Sequence, residues 1–181
     1  IRSIVVPMVF FHYHEGSRNA EVALGFFHDF KGAIQVDGYA GYDVLAKLEG
    51  IIIMCCWAHC RRYFDRALKN DKLRAEYGLD QIGMLYSVEK LADEQDMCYE
   101  ERADLRSRIS YPIIRGLEAW ALDEYPKVLP KSPIGKALNY LITRIKQLTA
   151  YTKDGRYMID NNPIYPNFSF IPTFQLKTLS Y

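Results

Sequence analysis

The chain has 181 residues, of which 49% are hydrophobic and 25% charged, enough for one domain with a sizeable core and too apolar for extended disorder. Its formal net charge is only +1, so a case for nucleic-acid binding has to come from local clusters of basic residues. Four cysteines, two of them adjacent at Cys55 and Cys56, do not make a secreted disulfide framework and fit a reducing cytoplasm, and no apolar run approaches the roughly 20 residues of a membrane span.

The opening segment IRSIVVPMVFF lacks a starting Met, is interrupted by Arg2 and Pro7, and reads as the interior of a longer chain. Ser3 to Tyr13 is strand material, with Pro7 at an edge or bulge. Ser17 is placed to cap a helix starting near Arg18, in which Ala20, Ala23, Leu24, Phe27 and Phe30 recur at helical steps. Ala33 to Val36 is a short buried strand broken sharply by Asp37-Gly38. A brief helix from Tyr42 to Leu48 leads into the apolar run Ile51 to Trp57, which suits a central strand covered on both faces.

From Ala58 the pattern is helical. Phe64, Ala67, Leu68 and Leu73 predict a first helix as far as a break at Tyr77-Gly78. Ile82, Leu85, Tyr86, Val88, Glu89 and Ala92 predict a second helix. A charged helix from Asp96 through Arg108 continues past Pro112 to Leu122, where Trp120 packs. Pro126, Pro130 and Pro133 punctuate a linker. Ser132-Pro133 then starts a helix to about Tyr151, with Ala137, Leu138, Leu141, Ile145 and Leu148 as its stripe. After Asn162 the tail has no readable period and is expected to be irregular.

Four groups of residues could carry chemistry. Asp37 ends a buried strand, where open sheets place working residues and where a carboxylate can hold Mg²⁺; an ordinary Asp-Gly turn is the plain alternative. Cys56, Trp57, His59 and Cys60 contain zinc-ligand types without the second pair that a structural site needs, which leaves a buried thiol and a helix-start histidine as the commoner outcome. Arg61, Arg62, Arg66, Lys69, Lys72 and Arg74 form one basic side, and Lys127, Lys131, Lys136, Arg144, Lys146, Lys153 and Arg156 a second. Both could sit on phosphates, and both could be ordinary solvated faces, since Asp65, Asp71 and Glu76 are interspersed with the first set. Asp160 is the acid among the polar turns near Asn161 and Asn162 that could join a metal site.

Taken together, PMVFFHYHEGSRNAEVALGFFHDFKGAIQVDGYAGYDVL, CCWAHCRRYF, KALNYLITRIKQL and DGRYMIDNN resemble, in order, the insertion-sequence transposases of family sixty-six (IS66). The resemblance implies a DDE transposase with a ribonuclease-H-like core, an α/β fold with a mixed sheet and a mostly helical insertion. It implies a partial core over residues 1–63, the insertion over 64–133, a returning core helix over 134–162 and a divergent tail over 163–181. Asp37 then matches the second acid of a Mg²⁺-binding triad, and Cys56, Trp57 and His59 a Cys-x-x-His signature. Arg61, Arg62, Arg66, Lys69, Lys136 and Arg144 become expected contacts to double-stranded DNA at element ends, made by a homo-oligomer. The family reaction is Mg²⁺-dependent DNA strand cleavage and transfer. The first acid is expected upstream of Ile1, and Tyr165 stands where the family pattern NNxxER has its glutamate. A frameshift or truncation is expected to underlie that loss, and the chain alone is expected to be inactive.

Overall fold

In a computed structural model of the protein, residues 24–25, 27–160 and the backbone of 174–175 are described. The expected strand from Ser3 to Tyr13, most of the helix from Arg18, and the positions Asn161, Asn162 and Tyr165 lie outside them.

Two strands organise the fold, β1 (Gly32–Val36) and β2 (Ile51–Cys55). They pair in parallel over their whole length, with Gly32 opposite Ile51 and Val36 opposite Cys55. Parallel pairing needs a crossover, supplied by residues 37–50 with a 3-10 helix over Ala40–Lys47. Ala33, Ile34, Gln35 and Val36 are all buried, as are Ile53, Met54 and Cys55, but Ile52 is 40% exposed and β2 lies at the edge of the described sheet, so the central strand expected over Ile51 to Trp57 is β1 instead.

The tail departs from expectation. Phe174–Gln175 forms a short strand, β3, paired in parallel with Ile34 and Gln35 on the edge of β1 away from β2. An open strand edge presents unpaired N–H and C=O groups, and a β-forming pair of residues satisfies two positions of it. Among the described residues every pairing is parallel, so the mixed character implied by the resemblance is not carried by any of them.

The helices follow as α1 (Trp57–Ala67), α2 (Lys72–Glu94), α3 (Tyr99–Leu105), a π-helical turn (Arg106–Ser110), α4 (Tyr111–Glu124) and α5 (Pro133–Thr149). The expected break at Tyr77-Gly78 does not occur. The chain breaks earlier, around Asn70, where the Asp71 side chain caps α2 by accepting from the Arg74 N–H, and α2 runs straight through Gly78. That glycine is a packing residue, since a Cβ there would lie 2.5 Å from the Phe64 ring of α1. Leu73, assigned to the apolar side, is instead exposed.

Pro112 is carried inside a continuous helical run, as expected. Proline lacks an N–H and crowds the preceding turn, and the π turn immediately before it widens the backbone there. Ser132 caps α5 by accepting from the Gly135 N–H at 3.1 Å, with Pro133 in the first turn. The core is shared: Trp57, Phe64, Ile82, Leu85, Ile114, Leu117, Leu138 and Leu141 belong to the same buried cluster as Ile34 and Met54. The helices of residues 64–133 therefore share one core with the strands, packing on α1 and α5, and α5 in turn packs on β2. Among the described residues no helix is long and apolar enough to cross a membrane.

Candidate functional site

Asp37 stands where β1 ends. Its carboxylate accepts from the Tyr39 N–H at 3.0 Å, closing a local turn, and its backbone carbonyl accepts from the Tyr140 hydroxyl of α5 at 3.0 Å. Gly38 has φ +87°, a conformation that side chains disfavour, and a Cβ there would lie 2.6 Å from the Tyr140 oxygen. The Asp-Gly pair is thus both a turn and a close-approach site, holding the acid against α5. Tyr140 in turn stacks on Tyr63 of α1, with ring centroids 4.7 Å apart.

Beside Asp37 lies an ion pair between Arg144 and Asp43, which joins α5 to the 3-10 turn. Cys55, at the end of β2, feels this cluster: burial pushes its thiol up to about 12, with Arg144 opposing and Asp43 reinforcing the rise. Burial also raises Cys60 strongly, so neither thiol is a nucleophile at neutral pH.

The Cys-Trp-x-His stretch is architectural in its visible contacts. Cys56 is fully buried, and its N–H donates to the Val36 carbonyl at 3.2 Å, extending the sheet by one step before α1 starts. Trp57 is fully buried too, and its indole Nε1 donates to the Leu148 carbonyl at 2.9 Å, pinning the end of α5. His59 lies in the first turn of α1, its N–H donating to the Cys56 carbonyl. These residues hold the strand end and the returning helix in register.

Three bonds bring the segment after α5 back to the same end of the sheet. The Trp57 N–H donates to the Ile159 carbonyl at 3.1 Å, and Gln35 Nε2 to the Met158 carbonyl at 3.1 Å. The Tyr86 hydroxyl of α2 donates to Asp160 at 2.7 Å, and burial followed by the Asp160 charge raises that phenol's pKa. The residues leading into Asn161-Asn162 therefore arrive beside the Cys56–Trp57 junction, one strand over from Asp37. Among the described residues no group of three or more His, Cys, Asp or Glu side chains could hold a metal ion.

The predicted basic residues divide by partner. Arg61, Arg62, Arg66 and Lys69 are exposed on and just beyond α1, and none forms an ion pair among the described residues. Lys136 is likewise exposed on α5. Arg144 is mostly buried against Asp43. Arg74 bonds Asp71 and Glu124, Lys127 bonds Asp123 and Glu124, and Arg156 bonds Asp154.

A second network was not anticipated. Glu89 of α2 accepts from Arg106 Nε at 2.8 Å, Arg106 Nη2 at 2.6 Å and Arg102 Nη1 at 3.1 Å, and Arg102 also pairs with Asp93. Arg106 Nη1 donates onward to the Tyr151 and Asp154 carbonyls at 3.0 and 2.7 Å, and its guanidinium lies 5.0 Å from the centre of the Tyr151 ring. The signal was present as two acids four residues apart facing two arginines four residues apart, Glu89/Asp93 and Arg102/Arg106.

The small parallel sheet with extensive helices following it is consistent with a partial ribonuclease-H-like core. The family described as "Transposase IS66 family" matches residues 2–164. The chain belongs to that family. Similar curated proteins include the uncharacterized proteins y4qI and y4jD of Sinorhizobium fredii (strain NBRC 101917 / NGR234), 33% identical over 165 residues and 30% identical over 163 residues. Each alignment covers 86% of this chain but only 30% and 31% of those proteins, so this IS66-family chain spans less than a third of their length. No solved structure matches. The family match ends at Ile164, directly before Tyr165.

Proposed function

We propose that this chain is the part of an IS66-type DNA transposase that grips duplex DNA and presents one acid, Asp37, toward it. Strand cleavage and transfer need carboxylates from beyond the described residues. The observation that carries the reading is the row Arg61, Arg62, Arg66 and Lys69, four exposed cations within nine positions that form no ion pair among the described residues. The four cations outnumber the one exposed acid set among them, Asp65, and phosphates would relieve the self-repulsion that remains. Lys136 is a further exposed cation on α5, while Arg144 acts through Asp43 by keeping the 3-10 turn beside Asp37.

Mg²⁺ remains the family's cofactor, and Asp37 is the carboxylate here that would bind it. One carboxylate does not fit a two-metal centre, which needs several acids converging on both ions. The chain by itself accordingly binds DNA without cutting it.

The test is the salt dependence of duplex binding by fluorescence anisotropy. Each neutralised phosphate contributes a slope of about −0.9 in log K against log salt, so the triple variant Arg62→Ala/Arg66→Ala/Lys69→Ala should flatten the slope by roughly 2.7. No binding at about 50 mM salt, or a slope unchanged in the triple variant, would overturn the reading. Mg²⁺-dependent nicking by this chain alone would overturn its non-catalytic part.

A further inference from the structure

Tyr39 is an aromatic side chain that the fold braces and yet leaves open. It follows Asp37 by two positions, and the 3.0 Å bond from its N–H to the Asp37 carboxylate fixes the two residues to each other. Its ring folds back over the first turn of the 3-10 helix, where a Cβ on Gly41 would lie 2.3 Å from the ring atom Cε1. Gly41 is not among the glycines with positive φ, so its backbone conformation is open to any residue. Glycine weakens a helical turn relative to alanine, and here its bareness makes room for the ring. Tyr42 meets that ring at an interplanar angle of 81° with centroids 5.6 Å apart, an edge contact that sets its tilt. Tyr39 nevertheless stays 42% exposed, and its hydroxyl makes no hydrogen bond among the described residues. The side of the ring away from Gly41 and Tyr42 meets solvent.

We propose that Tyr39 is a stacking platform for an unpaired DNA base beside Asp37. The inference rests on the DNA reading above and names the form of DNA that this end of the sheet takes. An aromatic face attracts another flat π-face, and every base offers one whatever its sequence. Inside a duplex both faces of a base are covered by its neighbours. A base at a strand end, in a single strand or swung out of the stack is free to lie on the ring. The reach agrees with this. Two residues span at most about 7 Å, which is about two nucleotide steps of roughly 3.4 Å along one strand. A base on Tyr39 is therefore within one or two nucleotides of the acid.

The surroundings suit a nucleic-acid backbone. Asp43, the acid of the 3-10 helix, is neutralised by Arg144. Lys136 is exposed one turn before Tyr140 on α5, and Tyr140 bonds the Asp37 carbonyl. Tyr140 also stacks on Tyr63, which precedes Arg66 by three positions on α1. Cations on both helices are thus tied through Tyr140 to the turn that carries Tyr39.

Fluorescence anisotropy of the full chain on three DNAs tests the inference. They are a blunt duplex, the same duplex with a short single-stranded overhang, and that overhang with its bases replaced by abasic sites, each overhang made in both polarities. The abasic form keeps every phosphate, so the difference between the two overhangs isolates the bases. In one polarity the base-bearing overhang should bind about 5- to 150-fold tighter than its abasic form. Tyr39→Ala should cut that advantage to about twofold or less, and Tyr39→Phe, which keeps the ring in the same seat, should restore it. Tyr39→Ala removes no charge and should keep the salt slope, unlike the triple variant of α1. A 2-aminopurine in the overhang should lose fluorescence on binding the unmodified chain and retain it with Tyr39→Ala, a signature of stacking that a merely structural role would not give. No advantage for bases in either polarity, an advantage that survives Tyr39→Ala, or a Tyr39→Phe variant as weak as Tyr39→Ala would each overturn the inference while duplex binding stands. Failure to bind any of these DNAs would overturn the DNA reading and this inference together. Circular dichroism on each variant verifies that the fold is intact.

Discussion

Replacing Arg106 with methionine tests whether the helical region holds the segment that returns to the sheet. Arg106 is 1% exposed and gives four hydrogen bonds, two to Glu89 and two to the carbonyls of Tyr151 and Asp154. Methionine keeps much of the volume, so the loss is mainly electrostatic. Glu89 keeps Arg102 as a partner but loses its bidentate one, and breaking one side of a buried ion pair costs about 3–5 kcal/mol. The two carbonyls lose their charged donor as well, which places the expected loss toward the upper end. Arg106→Lys keeps the charge but not the fork, and should cost about half as much. The double variant Glu89→Met/Arg106→Met should lose clearly less than the two single losses added together, because no buried carboxylate is then left short of a partner. Urea denaturation followed by far-UV circular dichroism gives these values. A loss below about 1 kcal/mol for Arg106→Met, or strict additivity in the double variant, would show that the network does not hold the 151–154 turn.

Other outcomes follow from the same packing. Gly78→Ala should destabilise by about 1–3 kcal/mol despite alanine's better helix propensity, since its Cβ would press into Phe64, whereas Gly83→Ala should stabilise by roughly 0.5–1 kcal/mol; equal signs for the two would refute the helix contact. The Cys55 thiol is held neutral to about 12 in the fold, against an ordinary value of 9.0. The unfolded chain therefore ionises first, and stability should be unaffected by this group below pH 9 and fall as pH rises from 9 towards 12. The slope is up to about 1.4 kcal/mol per pH unit, and Cys55→Ala should remove that share of it in denaturation midpoints taken from pH 8 to 10.5. Native-state alkylation near neutral pH should label exposed Cys98 and spare Cys55, Cys56 and Cys60; early modification of any buried thiol would contradict the burial at the strand end.

Local chemistry made much of this legible from residues alone. The apolar run from Ile51 to Trp57 read as a strand because seven residues are too few for a helix, and Ser132-Pro133 read as a helix start because Ser caps and Pro fits the first turn. Asp37 was found for the same kind of reason: an acid and a glycine directly after a buried strand leave few places for the carboxylate to go. Gly78 misled because glycine ends helices and also lets helices touch, and only the position of Phe64 distinguishes the two. The tail strand at Phe174–Gln175 was invisible because two residues have no period; it is defined by the open edge of β1.

What the sequence determined by itself is therefore most of the described elements, the acid at the strand end and the family. These depend on short-range sterics, periodicity and ordered motifs that survive without a partner in space. Tertiary structure decided which charges remain available. Arg144 and Arg106 read along the chain like Arg62 and Arg66, yet the first two are bound to Asp43 and Glu89, 101 and 17 positions away, and the others face outward. A charge's role depends on what lies opposite it across the fold, and neither composition nor spacing encodes that distance.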